Sequence, residues 1–285
     1  MRRLATKQKS EYKQDLYFLI ARKMMSTTKK TIISAMFLAI ALILNQVLRF
    51  EIPIGGASML RISTSGPFLR FVGILFGPLY GGIIAALSDV MSFFISNRSG
   101  AGFLWPLTVV AFCRGAVTAF LWHKVKRINF KIVSILYLFM FGMIVLVGIV
   151  NQTYVSFFPY NQYTQFILGA NNNVGFFTWG AILIGSVGIV LHVGAFKIFK
   201  KLDKQENFSL YLRLMSCVLL PGLFFTTVNT WLLVELLSLQ MGFIFFWVPR
   251  MVNEVFSVIF TVYVLILLIN LYKRIFSIDL VEQKS

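Results

Sequence analysis

Residues 132–150 read IVSILYLFMFGMIVLVGIV, a run of 19 mostly apolar residues without a charge. A helix needs about 20 such residues to cross the hydrocarbon core of a bilayer, so this run has the length of one membrane span. Its apolar residues are continuous and do not alternate with polar ones, which favours a helix over a strand of a membrane barrel. The stretch therefore predicts a transmembrane helix.

Comparable runs recur along most of the chain. Hydrophobic residues make up 58% of the 285 residues and charged residues only 13%, whereas a soluble domain carries about 25% charged residues. The apolar runs predict eight spans, at 31–48, 66–77, 80–96, 104–123, 132–150, 174–196, 209–236 and 244–272. The sequence therefore predicts an all-α integral membrane protein, a bundle of about eight transmembrane helices.

The basic residues give the expected orientation of these spans. The formal net charge is +17, and nine of the 27 Lys and Arg residues lie in the first thirty positions. Most others lie in alternate breaks, whereas the intervening breaks at 49–65, 97–103, 151–173 and 237–243 contain only Arg49, Arg61 and Arg98. Cytoplasmic loops are the ones enriched in Lys and Arg. We therefore expect a multi-pass protein of the cell membrane with both termini in the cytoplasm.

The same pattern divides the chain into three parts. Residues 1–30 form a basic cytoplasmic segment, residues 31–274 the transmembrane domain, and residues 275–285 a cytoplasmic tail. Thirty polar and basic residues before the first span are not typical of a cleavable signal peptide, so we expect the first helix to stay in the membrane.

The sequence offers little for catalysis. Cys113 and Cys217 lie far apart within apolar runs, and His123 and His192 are expected near the membrane interface. No phosphate-binding Gly-Lys pair and no cluster with metal-ligand spacing occurs. We expect no catalytic residue, metal or cofactor, so any ATP hydrolysis would come from another subunit.

Ionisable residues within or at the ends of spans are more informative, because a charge at mid-bilayer costs ~3 kcal/mol or more. They are Asp89, Arg114, Glu235, Arg250 and Glu254. If several converge, together with Arg49 and Arg61 on the outer side, they form an outward-facing pocket for an anionic solute. Asp89 is the strongest candidate, since no adjacent residue neutralises it and Ser88 and Ser92 are polar neighbours.

Each of the others has an alternative interpretation. Arg250 and Glu254 are four residues apart on a helix and can pair with each other. Arg49 can be an interfacial anchor, and Arg114 can pair with a residue such as Asp89 instead of a substrate.

Aromatic, amide and small residues complete the candidates. Trp105 lies near an outer span end, where it either stacks on a planar solute or anchors the helix at the interface. Asn229 lies inside a span and needs a hydrogen-bond partner there. Ala35 and Ala39 lie on one face of the first helix, a spacing that permits close approach of another helix.

Several stretches match a known family in order and spacing. They are Leu60-Arg61-Ile62-Ser63, the run from Gly73 to Gly82 with its Gly77-Pro78 turn and the following Asp89, Gly100-Ala101-Gly102-Phe103, Asn229-Thr230-Trp231-Leu232, and Pro249-Arg250. Over residues 31–123 and 208–274, the chain resembles the substrate-binding S components of energy-coupling factor (ECF) transporters, in particular the folate-type subunits.

This resemblance implies a subunit that binds a vitamin outside the cell and docks on one transmembrane coupling protein with two ATPase subunits. The vitamin would be anionic and contain a ring, with folate the first expectation. The family's pocket agrees with ligand contacts at Arg49, Arg61, Trp105, Asn229 and Arg250, whereas Asp89 is added from the residues alone. The family's docking face carries over to Ala35 and Ala39.

The chain departs from the family's usual six helices, because residues 128–205 predict an added helical hairpin. Two other functions stay open from the residues alone. One is a stand-alone, proton-coupled transporter of an organic anion that uses Asp89 or Glu235 as a proton relay. The other is a non-transporting membrane receptor or a membrane enzyme, and an activity lost on mutation of His123 or His192 would favour the enzyme.

Overall fold

The computed structural model describes residues 25–47, 50–54, 57–62, 64–95, 102–125, 130–157, 174–201, 205–237 and 243–282. Over these residues the chain forms eight helices: α1 (Thr27–Val47), α2 (Gly66–Phe76), α3 (Pro78–Ile95), α4 (Trp105–Lys124), α5 (Phe130–Phe157), α6 (Val174–Lys201), α7 (Gln205–Leu236) and α8 (Phe243–Glu282). A short hairpin, β1 (Phe50–Ile54) and β2 (Ala57–Ile62), connects α1 to α2. The predicted all-α membrane bundle is confirmed.

The surface of the bundle suits a lipid environment. Six of the helices are long and apolar enough to cross a membrane, whereas α2 and the apolar part of α6 are shorter. Large apolar side chains such as Leu136 and Phe139 of α5 are exposed. Lipid tails are as apolar as a protein core, so an apolar exterior is expected for membrane helices.

The β-hairpin was not predicted, since the sequence analysis treated residues 49–65 only as a break between spans. The strands are antiparallel, with Phe50 opposite Ile62 and Ile54 opposite Ala57. The register is irregular at Pro53, whose nitrogen has no proton to donate to a ladder. Strand β2 lies against α8, so the hairpin lies at the end of the bundle where α1 ends and α2 begins.

A single residue, Gly77, separates α2 from α3. Its φ is 107°, a conformation that residues with a side chain rarely adopt, and its amide donates a hydrogen bond to the Gly73 carbonyl at 2.9 Å. Pro78 then opens α3, where a missing amide proton costs nothing. The tight turn expected from the glycines and the proline is confirmed.

Glycines also bring α2, α3 and α4 into close contact. A Cβ atom at Gly73 would lie 3.1 Å from the Gly81 Cα. A Cβ atom at Gly115 would lie 2.9 Å from the Ala85 Cβ and equally close to the Gly81 carbonyl carbon. The three helix backbones therefore pack more closely than side chains would allow.

Helices α5 and α6 pack on each other and lie beside α7 and α8. His192 of α6 is 1% exposed, with Nε2 2.8 Å from the Ser134 hydroxyl and Nδ1 3.2 Å from the Tyr211 hydroxyl. His192 is therefore buried among helices, and its depth near the membrane interface stays a prediction. A polar ring buried between apolar helices needs hydrogen-bond partners, and these two hydroxyls supply them.

Candidate functional site

A cavity of about 270 Å³ lies between α1, α2, α3, α4 and α8. Its small and apolar lining is Gly66, Leu69, Gly81, Ala85, Ala111 and Gly115. Its neutral polar lining is Asn45, Ser65, Ser88, Ser92, Asn253 and Ser257. Asn45 is close to the end of α1 and Ser65 directly precedes α2, so the cavity is at the end of the bundle that carries the β-hairpin.

Glu254 of α8 joins two arginines at the cavity wall. It is 7% exposed, accepts a hydrogen bond from Arg114 Nη2 of α4, and accepts a second one from Thr226 Oγ1 of α7 at 3.1 Å. Arg70 Nη2 of α2 lies 3.8 Å from Glu254 Oε1, and Arg70 Nη1 donates to Thr261 Oγ1 at 3.0 Å. One carboxylate therefore forms ion pairs with two guanidinium groups from different helices.

Helix α3 supplies the other polar wall. The Thr108 hydroxyl of α4 donates a hydrogen bond to Asp89 Oδ2 at 2.7 Å. Asn45 Nδ2 of α1 donates to Ser92 Oγ at 3.0 Å. These contacts fix the rotation of α3 so that its polar side chains line the cavity.

The formal charges of the lining balance over the part of the chain that the structure describes. Arg70 and Arg114 contribute two positive charges, while Asp89 and Glu254 contribute two negative ones. Buried charges persist in proteins when they are paired and hydrogen-bonded. The cavity can therefore offer donors and acceptors to a ligand without a net charge of its own.

Of the ionisable residues singled out from the sequence, Asp89, Arg114 and Glu254 line the cavity. Arg49 lies outside the described residues. Arg61 lies in β2, opposite Glu51 in the strand register. Trp105 is the first residue of α4, is 68% exposed, and is not among the lining residues.

Asn229 and Arg250 contact each other instead of the cavity. Arg250 Nη1 donates to Asn229 Oδ1 at 3.0 Å and lies 3.4 Å from Thr230 Oγ1. Asn229 thus has the partner that its position in a span requires.

The sequence left a protein partner open as an alternative for two arginines, and the structure shows which partners they have. Arg250 bonds to Asn229, while Glu254, four residues along the helix, bonds to Arg114. Arg114 thus pairs with an acid of the bundle, but this acid is Glu254 and not Asp89, which bonds to Thr108. These partners depend on which side of each helix faces the bundle. They do not follow from the separation of the residues in the sequence.

Arg70 is the charged lining residue that was not singled out from the sequence. The signal was present, because a lone arginine inside the short apolar span 66–77 is costly unless it has a function or a partner. Asn45 carries a similar signal near the end of the first span.

The two remaining candidate features lie on the surface. Ala35 and Ala39 are both exposed on α1, beside the buried Leu38 and Leu42. Glu235 is exposed near the end of α7.

A family model described as "ECF-type riboflavin transporter, S component" matches residues 25–172. The match therefore covers α1 to α5, including every cavity-lining residue on α1 to α4. No curated protein and no solved structure matches the chain.

Proposed function

Because this chain belongs to the family of ECF-type riboflavin transporter S components, we propose that the vitamin it binds is riboflavin. S components are membrane subunits for vitamin uptake and not enzymes, and the ATPase activity lies in partner subunits. Folate, which the resemblance to folate-type subunits implies, is the competing substrate.

The charge balance of the cavity is the observation that carries this proposal. Riboflavin is uncharged at neutral pH, with a flat ring system and a chain of hydroxyl groups. Folate carries two carboxylates, which would require cationic groups free to pair with them. Glu254 already engages Arg114 directly and lies near Arg70, so the cavity suits a neutral ligand rich in hydrogen-bonding groups better than a dianion.

The lining offers specific partners for such a ligand. Asp89 can accept hydrogen bonds from a ribityl hydroxyl or the ring imide, and Asn253 and Ser257 are polar groups on the opposite wall. A few convergent polar groups in a mostly small and apolar pocket are typical of a small-molecule site. We assign Asp89 the direct ligand contact and assign Asn229 and Arg250 to holding α7 against α8.

Binding by the purified protein in detergent tests the proposal. Riboflavin is expected to bind at least ~10-fold more tightly than folate, a difference of about 1.4 kcal/mol. Asp89→Asn is expected to weaken riboflavin binding, whereas Glu235→Gln, a matched change at an exposed position, is expected to leave it unchanged. Tighter binding of folate would restore the folate assignment, and binding of neither vitamin would refute both.

The orientation and the partners complete the proposal. The surplus of Lys and Arg in alternate breaks supports cytoplasmic termini, so a tag after residue 285 should be cleaved by protease only from the inner side. Arg49, Arg61 and Trp105 would then lie on the outer side, where the vitamin enters. Family membership supports docking on a coupling protein with two ATPase subunits, with Ala35 and Ala39 as the docking face.

A further inference from the structure

We propose that Glu254 sets the charge selectivity of the pocket, so that the protein accepts the neutral vitamin and rejects its phosphate ester. The inference rests on riboflavin being the ligand, since riboflavin and riboflavin monophosphate share one ring system and differ by a phosphate on the ribityl chain. The two compounds therefore isolate the effect of ligand charge.

Without Glu254, the pocket would attract anions. Arg70 and Arg114 both line the cavity, and guanidinium forks match phosphate oxygens in geometry and charge. A phosphate monoester carries about −1.5 to −2 charges at pH 7. Among the described residues, the other acid of the lining is Asp89, which is on α3 and is engaged by Thr108.

Glu254 is held firmly in its position between the arginines. It comes from α8, but its carboxylate accepts hydrogen bonds from Arg114 of α4 and from Thr226 of α7. Residue 222 of α7 is a glycine, and a Cβ atom there would lie 2.5 Å from Glu254 Oε1. Helix α7 therefore provides both a hydrogen bond and the space that the carboxylate needs.

A phosphate that approached the arginines would find this carboxylate already paired with Arg114 and close to Arg70. It would have to displace a buried acid from two hydrogen-bond donors and a neighbouring guanidinium, or sit beside it as a like charge, which is costly in a medium of low dielectric. A neutral ligand meets neither obstacle, because it hydrogen-bonds to the lining and leaves the ion pairs intact. Glu254 thus acts as a built-in counter-ion that occupies the place an anion would take.

The test is a charge cycle with four proteins: wild type, Glu254→Gln, Arg114→Gln and the double variant. The measured quantity is the ratio of the dissociation constants for riboflavin monophosphate and riboflavin in detergent. Glu254→Gln is expected to shift this ratio about tenfold or more toward the phosphate ester. Arg114→Gln is expected to shift it the other way, and the double variant, whose charge is balanced again, is expected to return to the wild-type ratio.

The double variant separates charge from packing. A packing defect would accumulate in the double variant, whereas a charge effect would cancel. If Glu254→Gln alone does not fold, the step from Arg114→Gln to the double variant removes the same acid and is expected to shift the ratio in the same direction. Glu235→Gln, which removes an exposed acid from α7, is the control and is expected to show the wild-type ratio.

The two proposals fail in different ways. If wild type binds riboflavin but the ratio is the same in all four proteins, charge selection by Glu254 is refuted and the riboflavin assignment stands. If wild type binds neither flavin, the riboflavin assignment itself is refuted, and the selectivity inference with it.

Discussion

At the scale of single residues, the position of Glu254 depends on a residue that has no side chain. Gly222 lies in the middle of α7, next to the helical proline Pro221, and directly faces the carboxylate. Glycine in a helix interior costs roughly 0.5–1 kcal/mol relative to alanine, so its presence there has a reason in packing. Here the reason is room for an acid that balances two arginines.

We therefore predict that Gly222→Ala displaces the Glu254 carboxylate and partly reproduces Glu254→Gln. The ratio of dissociation constants for the two flavins should shift a few-fold toward the phosphate ester, since the ion pair is weakened but not removed. Gly194→Ala on α6 is the matched control, because a Cβ atom there meets no atom within 4 Å. An unchanged ratio in Gly222→Ala would show that the carboxylate position does not govern selectivity.

At this scale the sequence identified three of the four charged lining residues. Asp89, Arg114 and Glu254 stood out because ionisable residues in or at the ends of apolar spans are costly, and the same argument applied to Arg70 would have found it. Their partners were not predictable, because eight spans of known sequence leave the rotation of each helix undetermined. Arg114 and Glu254 are 140 positions apart in the sequence. A rule based on local spacing cannot predict a pair of this separation.

At the scale of helices, α2, α3 and α4 owe their arrangement to small residues. Gly73, Gly81 and Gly115 lie where the three backbones approach one another, and close approach through glycine is a common way for membrane helices to associate. The cavity begins at the same place, since Gly81 and Gly115 also line it. The packing that joins these helices therefore also shapes the candidate site.

We predict that Gly115→Ala destabilises the protein by about 1–3 kcal/mol, the usual cost of inserting a methyl group into a packed interface. The added Cβ would lie 2.9 Å from the Ala85 Cβ and 2.9 Å from the Gly81 carbonyl carbon. The second atom belongs to the backbone of α3, so it cannot move aside as a flexible side chain could. Gly142→Ala on α5, where a Cβ meets no atom within 4 Å, should be neutral or slightly stabilising. Thermal unfolding in detergent measures both, and equal melting temperatures would contradict close packing at Gly115.

Helices and turns were largely predictable, whereas the hairpin was not predicted. The continuous apolar runs predicted most helix ends to within a few residues, and the Gly77-Pro78 pair predicted the turn between α2 and α3. The hairpin has a weaker signal, the Gly55-Gly56 pair between two short segments. Strand β2 also lies against α8, a tertiary contact that the local sequence does not show.

At the scale of the whole molecule, the bundle divides into a part with the cavity and a part beside it. The lining comes from α1 to α4, α8 and the residue before α2, whereas none of the described residues of α5 and α6 contributes to it. Helices α5 and α6 instead adjoin α7 and α8. The added hairpin over 128–205 remains a prediction, and the family match, which continues to residue 172, includes its first helix.

Helix α1 connects the candidate site to the proposed docking face. Asn45 on its buried side reaches the cavity, while Ala35 and Ala39 on its exposed side lie about two turns or more away toward the other end. A bulky residue on the exposed side should therefore disturb an outside partner without disturbing the cavity. Binding and transport are thus separable by mutation.

We predict that Ala35→Trp and Ala39→Trp bind riboflavin like wild type in detergent but lose both ATP-dependent uptake and co-purification with the coupling protein. The physical reason is steric, because close helix contact through small residues leaves no room for an indole. Ser186→Trp, a small-to-large change at an exposed position of α6, should retain uptake. Normal uptake by both Ala35→Trp and Ala39→Trp would show that α1 is not part of the docking face. Equal loss in Ser186→Trp would mean that any bulky residue facing lipid impairs transport, and that the contact is not specific to α1.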